Sequence, residues 1–152
     1  MTWTAPVVPR VESPYLADER SRLDAWLDYH RATLMQKCAG LTGEQLAMRP
    51  VASSALSLLG LARHAVGNER IWFRIRFGQA DVDDLYQSPQ HPEGGEFALA
   101  NPVTAETDFA TYIDEVAQAR MVVQGRSLDE RFGDETITES VNVNEAPSRG
   151  FY

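Results

Sequence analysis

A chain of 152 residues with a formal net charge of −8, 43% hydrophobic and 24% charged residues, has the size and make-up of one globular domain able to bury a core, which excludes disorder throughout. The acid excess and the lack of a basic block exclude general nucleic-acid affinity, because phosphate binding draws on Lys/Arg neutralisation and counterion release. No stretch reaches the roughly 18 uninterrupted apolar residues of a membrane span and no basic-then-apolar leader opens the chain, so a cytoplasmic protein is expected, with neither a nucleic-acid nor a membrane partner.

Residues 1–16 hold Pro6, Pro9 and Pro14 among isolated apolar residues, a composition that resists helix and predicts an extended arm lying on the domain, with Trp3 as its anchor. Helix one is predicted over 18–39, with Asp18 as N-cap and Gly40 just past its end. Leu23, Trp26, Leu27, His30, Leu34 and Cys38 recur at steps of three and four, one apolar stripe. Cys38 is the single cysteine; it excludes an internal disulfide and reads as a buried, inert thiol rather than a nucleophile.

In "LTGEQLAMRP" Thr42 and Gln45 are spaced as a capping box, which predicts a short helix stopped by Pro50. Ser53 or Ser54 then caps helix two, which Gly78 ends. Its residues form two adjacent apolar stripes, Leu58, Leu61, Ala65, Trp72 and Ile75 beside Leu59, Ala62, Val66, Phe73 and Phe77, the pattern of a helix packed on two sides. Trp26 and Trp72 read as packing residues. The arginines of "RIWFRIR" read as the wet flank of that helix.

Residues 79–102 show neither helical nor strand period and carry prolines and a Gly-Gly pair, so they are expected to form a long crossover. Helix three is predicted over about 105–124, with Phe109, Ile113, Val116, Arg120 and Val123 on one face and Tyr112 and Ala119 beside them. The last stretch supports at most a short edge strand around "TITESVNVN", and no fourth amphipathic helix can be written there.

Helix two carries polar residues where a core helix would hold Leu or Ala: His64, Asn68 and Glu69. Glu69 reads as half of a solvated ion pair or as a group orienting a ligand. His30 either faces His64 across the bundle or is half-buried and satisfied by one hydrogen bond, and His91 is expected to be exposed in the loop. No phosphate-cradling glycine loop, nucleophile elbow or Ser/His/Asp spacing stands out, so no catalytic or cofactor-binding residue is assigned from spacing alone.

The order of "MTWTAPVV", "LDAWLDYHRATLMQKCAGLTGEQLAMRPVASSALSLLGLARHAVGNERIWF" and "DLY" resembles the mini-circle-protein branch of the DinB-like superfamily, over roughly residues 1–128. The resemblance is specific in the "KCAGLT…SLLGLARH" run. It implies a four-helix bundle with a crossover between its second and third helices, commonly a homodimer. Relatives often carry a divalent metal, zinc or nickel, held by one histidine of the second helix and an H-x-x-x-H pair on the fourth, and some are transferases or isomerases that use mycothiol, bacillithiol or glutathione.

Only the second-helix histidine carries over, onto His64, as the expected metal ligand. After "RSLDERF" the sequence departs from the family pattern, and the histidines of the last helix are missing. The fold expected is therefore an all-α, DinB-like up-down bundle, incomplete, with residues 1–128 as the bundle and 129–152 as an irregular tail. Its unpaired helix faces imply a homo-oligomer. Two functions are open: a divalent-metal-dependent thiol S-transferase-like enzyme acting with a low-molecular-weight thiol, in which the imidazole of His64 is buried among the helices; or a non-catalytic binding or oligomeric assembly module that has lost its metal.

Overall fold

The computed structural model describes residues 2–91 and 93–131. It is all-α: five α-helices, a π-helical segment and one turn of 3-10 helix, with isolated bridges and no strand among the described residues. No helix there is long and apolar enough to cross a membrane.

Helix α1 spans Glu19–Cys38, and the Asp18 carboxylate caps it by accepting from the Ser21 backbone N–H at 3.0 Å. Gly40 follows at φ +76, a left-handed position that glycine adopts without a Cβ clash. The reversal delivers the chain to α2, Gly43–Ala47, whose Thr42–Gln45 capping box is present as the spacing predicts. Into this corner the N-terminal arm is laid: Ala5 N–H donates to Leu41 at 2.9 Å and Gly40 N–H returns to Ala5 at 2.9 Å. Trp3 packs edge-on against Phe109, with ring centroids 5.5 Å apart, as the expected anchor.

The second long helix starts later than predicted. Ser57, not Ser53 or Ser54, is the N-cap of α3, Leu58–Glu69, because its hydroxyl accepts from Gly60 N–H while Ser54 closes the preceding turn on Leu56 N–H. From Arg70 to Phe77 the chain continues as a π-helix, ending in an i→i−5 bond from Gly78 N–H to the Phe73 carbonyl. This widening was invisible to a 3.6-residue pattern. Its effect is that Arg70 and Arg74 both reach Glu115 on the neighbouring helix, at 2.5 and 2.7 Å.

The crossover is less irregular than expected. It contains α4, Gly95–Ala98, entered through Gly94 at φ +73, and the 3-10 turn Pro102–Thr104. Helix α5, Ala105–Val123, then returns along α3.

The core lies where the arm, α1, α2, α3 and α5 meet: Ala5, Met35, Cys38, Leu46, Leu59, Ala62, Val66, Phe109, Tyr112 and Val116 are all buried. Of the two predicted stripes, only Leu59, Ala62 and Val66 of one are fully buried, Phe73 and Phe77 of the same stripe being half-buried; Leu61 and Trp72 of the other are exposed. In α1 the buried residues are Arg31, Met35 and Cys38, while Leu23, Trp26 and His30 face outward. Two tryptophans expected in the core thus lie at the surface, Trp26 beside His30 and Trp72 under the Arg76 guanidinium, 4.7 Å from its ring. The buried face of α5 is likewise rotated, toward Asp108, Phe109, Tyr112 and Glu115, leaving Ile113 outside.

Past α5, Gly125 turns the chain at φ +73 and Arg20 binds the Val123 and Arg126 carbonyls, seating residues 126–131 against the start of α1. The strand expected around "TITESVNVN" lies outside the described residues.

Candidate functional site

His64 is presented by the outer face of α3, and its neighbour is built by a glycine four residues earlier. A Cβ on Gly60 would stand 2.7 Å from Phe97 Cδ1, so the bare backbone there is what lets α4 settle onto α3. With Phe97 seated, its ring stacks on the imidazole at 5.5 Å and Glu96 is delivered to it: His64 Nδ1 lies 3.0 Å from Glu96 Oε1. The imidazole is 46% exposed. The expectation that it points into an enclosed space among the helices is therefore corrected: the buried stripe of α3 is the Leu59/Ala62/Val66 face, and position 64 sits beside it, toward the crossover.

A small cavity of about 100 Å³ adjoins the pair, lined among others by Arg63, His64, Asn68, Tyr86 and Glu96. Arg63 belongs to its inner wall, with a side chain 8% exposed, and Tyr86 covers it, the guanidinium carbon 4.0 Å from the ring centroid. Tyr86 is held at φ +65, strained for a residue with a Cβ, and its carbonyl lies where a Cβ on Gly95 would fall, 2.1 Å away. The crossover is thus pinned over Arg63 by a strained tyrosine and an obligate glycine.

Behind them Asp108 stands 3.9 Å from Arg63 Nε and accepts from the Thr104 hydroxyl at 2.9 Å. Burial holds the Asp108 carboxyl above the usual carboxylate range, against the pull of Thr104 and Arg63. Burial first, then the Asp108 charge, pushes the Tyr86 phenol up.

On the far side of α3 a second polar layer crosses the bundle. Arg31 is bound to Glu69 through two bonds of 2.7 and 2.5 Å and to Asp28 at 3.0 Å, and Arg120 joins Asp28 at 2.7 Å. Glu69 is buried, not solvated as expected, and the arginines of "RIWFRIR" are not all a wet flank, because Arg70 and Arg74 converge on Glu115. Beside this layer, between the arm, α1 and α5, lies a cavity of about 560 Å³ with walls from Val8, Val11, Met35, Ile113 and Val116 and a charged edge of Asp28, Arg31 and Arg120.

A zinc-type centre needs three or four N, O or S donors converging at about 2.0–2.3 Å. His64 and Glu96 supply two, and Asn68 is a poor third; among the described residues no cluster of three or more His, Cys, Asp or Glu could hold a metal. These residues alone do not complete such a site. His30 stands beside Trp26 on the exposed flank of α1, with centroids 5.0 Å apart, and does not face His64. His91 is half-buried in a turn closed by two backbone bonds with Ser88, at 3.1 and 3.0 Å.

Sequence reasoning found His64 but missed Glu96, Arg63 and Tyr86. Gly60 four residues before His64, and the Gly-Gly pair opening α4, were the signals of a close approach at this point.

A family model described as Mycothiol-S-transferase, a DinB-like family, matches residues 22–146 of the chain. The DinB-like level of the resemblance is thereby borne out. No curated protein and no solved structure matches.

Proposed function

This chain belongs to the mycothiol-S-transferase family, and on that premise we propose that it acts on a low-molecular-weight thiol as an S-transferase-like enzyme, with His64 as the group that meets the thiol. The observation that carries the reading is the His64–Glu96 pair at the mouth of a cavity, His64 being the residue onto which the sequence resemblance carries the family's second-helix histidine. Glu96 accepts a hydrogen bond from Nδ1–H of the neutral imidazole, which leaves the Nε2 lone pair as the proton acceptor. The thiol S–H gives its proton to Nε2, sulfur forms its bond to an electrophilic carbon, the bond from that carbon to its leaving group breaks, and the departing group takes the proton back from His64. Zinc or nickel, where such a family site is complete, lowers the pKa of the bound thiol; His64 is the ligand this chain offers, and no step above depends on the metal. The mini-circle branch, a homodimeric state and a cytoplasmic setting belong to the same reading.

The short donor set favours a second reading, a binding or assembly module that keeps the bundle and has lost its chemistry. Conjugation of mycothiol to a fluorogenic haloalkyl bimane, followed with elemental analysis of the same samples, separates the two. Turnover above background that is abolished in His64→Ala and lowered in Glu96→Gln supports the transferase. Absence of turnover in the folded wild-type protein assigns the module, whatever the metal content. Stoichiometric zinc or nickel that disappears in His64→Ala would replace proton acceptance by ligation as the role of His64.

A further inference from the structure

We propose that the cavity of about 560 Å³ under the N-terminal arm is a binding site for an uncharged, elongated apolar molecule. The space stays open because the elements around it are kept from closing on one another. Helices α1 and α5 stand apart here, spanned by the Arg120–Asp28 bond at 2.7 Å, and α1 turns the small side chains of Ala25 and Ala32 to the gap. The arm does not sink into it. Its prolines keep it extended, and it is pinned on both banks: Trp3 packs on Phe109 of α5 with centroids 5.5 Å apart, and Arg10 lies over the Tyr29 ring of α1 at 4.5 Å.

The walls left wet are apolar. Val11 of the arm and Ile113 of α5 are 75% and 54% exposed although both line the space, and Val8, Ala25 and Ala32 are half-buried. Covering such surface is favourable, and the volume is that of a small-molecule site. With one wall made by the arm, about 560 Å³ would take little more than one turn of a further helix, whose diameter is about 10 Å. The charges at the edge select the ligand. Arg31 and Arg120 are matched there by Asp28 and Glu69, so the edge carries no net charge, and Glu12 on the rim opposes an anion. A charged end of either sign would lose its water against an already balanced network, whereas an apolar body gains its whole buried area. The space shares none of the residues that line the His64 cavity, so this assignment does not rest on the transfer reading.

The test is titration of the full chain with the neutral dye N-phenyl-1-naphthylamine, read by its fluorescence, followed by displacement with 2-undecanone and with decanoate. A saturable rise at one dye per chain is expected, reversed by the ketone. Decanoate should displace the dye at least about tenfold more weakly, because its charge has no free partner at the edge. Ala32→Leu fills the room of about three ligand carbons and should weaken the dye by at least about tenfold. Ile113→Ser, at a position more than half exposed, should weaken it less, and it keeps the test on a folded protein if Ala32→Leu does not fold. No saturable rise, decanoate as effective as the ketone, or binding unchanged in the folded variants would each overturn the assignment. So would NOEs, in the ligand-free chain, from the Ile113 methyls to residues beyond 131 or to a second copy in mixed-labelled samples, since the chain itself would then be the occupant.

Discussion

Arg31 of α1 and Glu69 of α3 meet fork to fork, Nε and Nη2 against the two carboxylate oxygens at 2.7 and 2.5 Å, with both side chains buried. The pair is the main direct tie from α1 to α3, beside the burial of Met35 and Cys38 in the core and the Asp28–Arg120 contact to α5. Removing one partner leaves the other charge buried and alone, which costs about 3–5 kcal/mol, whereas replacing both by apolar groups of like volume is close to neutral. Arg31→Met and Glu69→Leu should each lower the urea midpoint strongly, and the double variant should recover most of the loss. Additive losses in that cycle would show that the two residues do not act as a pair.

Acid should unfold the protein partly through Glu115. Burial pushes its carboxyl up, but hydrogen bonds from Arg70 and Arg74 outweigh that and hold it below the ordinary value of 4.5; Asp28 is lowered in the same way by Arg120 and Arg31. A carboxyl whose folded pKa is depressed contributes stability that is present above its unfolded pKa and is lost as pH falls through the folded one. Denaturation midpoints should therefore hold from neutrality to about pH 5 and fall below it. In Glu115→Gln the starting stability should be lower and the acid limb shallower; an unchanged limb would exonerate Glu115.

The helices were legible because their signals are local. Asp18, the Thr42–Gln45 box, Gly40 and Gly78 mark ends by their own backbone chemistry, and these fall where expected. Which stripe would be buried was not legible, because periodicity says that residues share a face but not which face meets a neighbour. The polar partners pulled the answer away from hydrophobicity: Arg31, Glu69 and Glu115 sit inside, while Trp26 and Trp72 sit outside. Of the candidate site, His64 could be read from a motif, whereas Glu96 lies 32 residues away and reaches it only through the fold of the crossover.

Three glycines should respond in opposite senses. Alanine at Gly95 would put a Cβ 2.1 Å from the Tyr86 carbonyl, and at Gly43 one 2.3 Å from the Pro102 carbonyl, both backbone atoms that cannot step aside. Gly67, inside α3, has nothing within 4 Å of that Cβ. Gly67→Ala should stabilise by about 0.5–1 kcal/mol through helix propensity and the entropy of the unfolded chain. Gly95→Ala and Gly43→Ala should destabilise by more than that, and Gly95→Ala should also disturb the Tyr86 wall, visible as altered tyrosine ring resonances. A neutral Gly95→Ala would mean that the crossover is not pinned there.

Cys38 bears on the proposed chemistry by being unfit for it. The thiol is fully buried in the core and burial pushes it up to about 11 from an ordinary 9.0, so at neutral pH it is neither exposed nor ionised. An aromatic disulfide reagent at about pH 8 should label the native protein only as fast as the core opens, and in full once urea is added. Because the folded pKa is the higher one, the contribution of the buried thiol is complete below 9.0 and declines as pH climbs toward 11. Cys38→Ser places a hydroxyl without a partner in the same space and should cost about 1–3 kcal/mol. Cys38→Ala should keep any thiol-transfer activity intact, since the sulfur that reacts comes from the small thiol; loss of turnover in a folded Cys38→Ala protein would move the chemistry from His64 into the core.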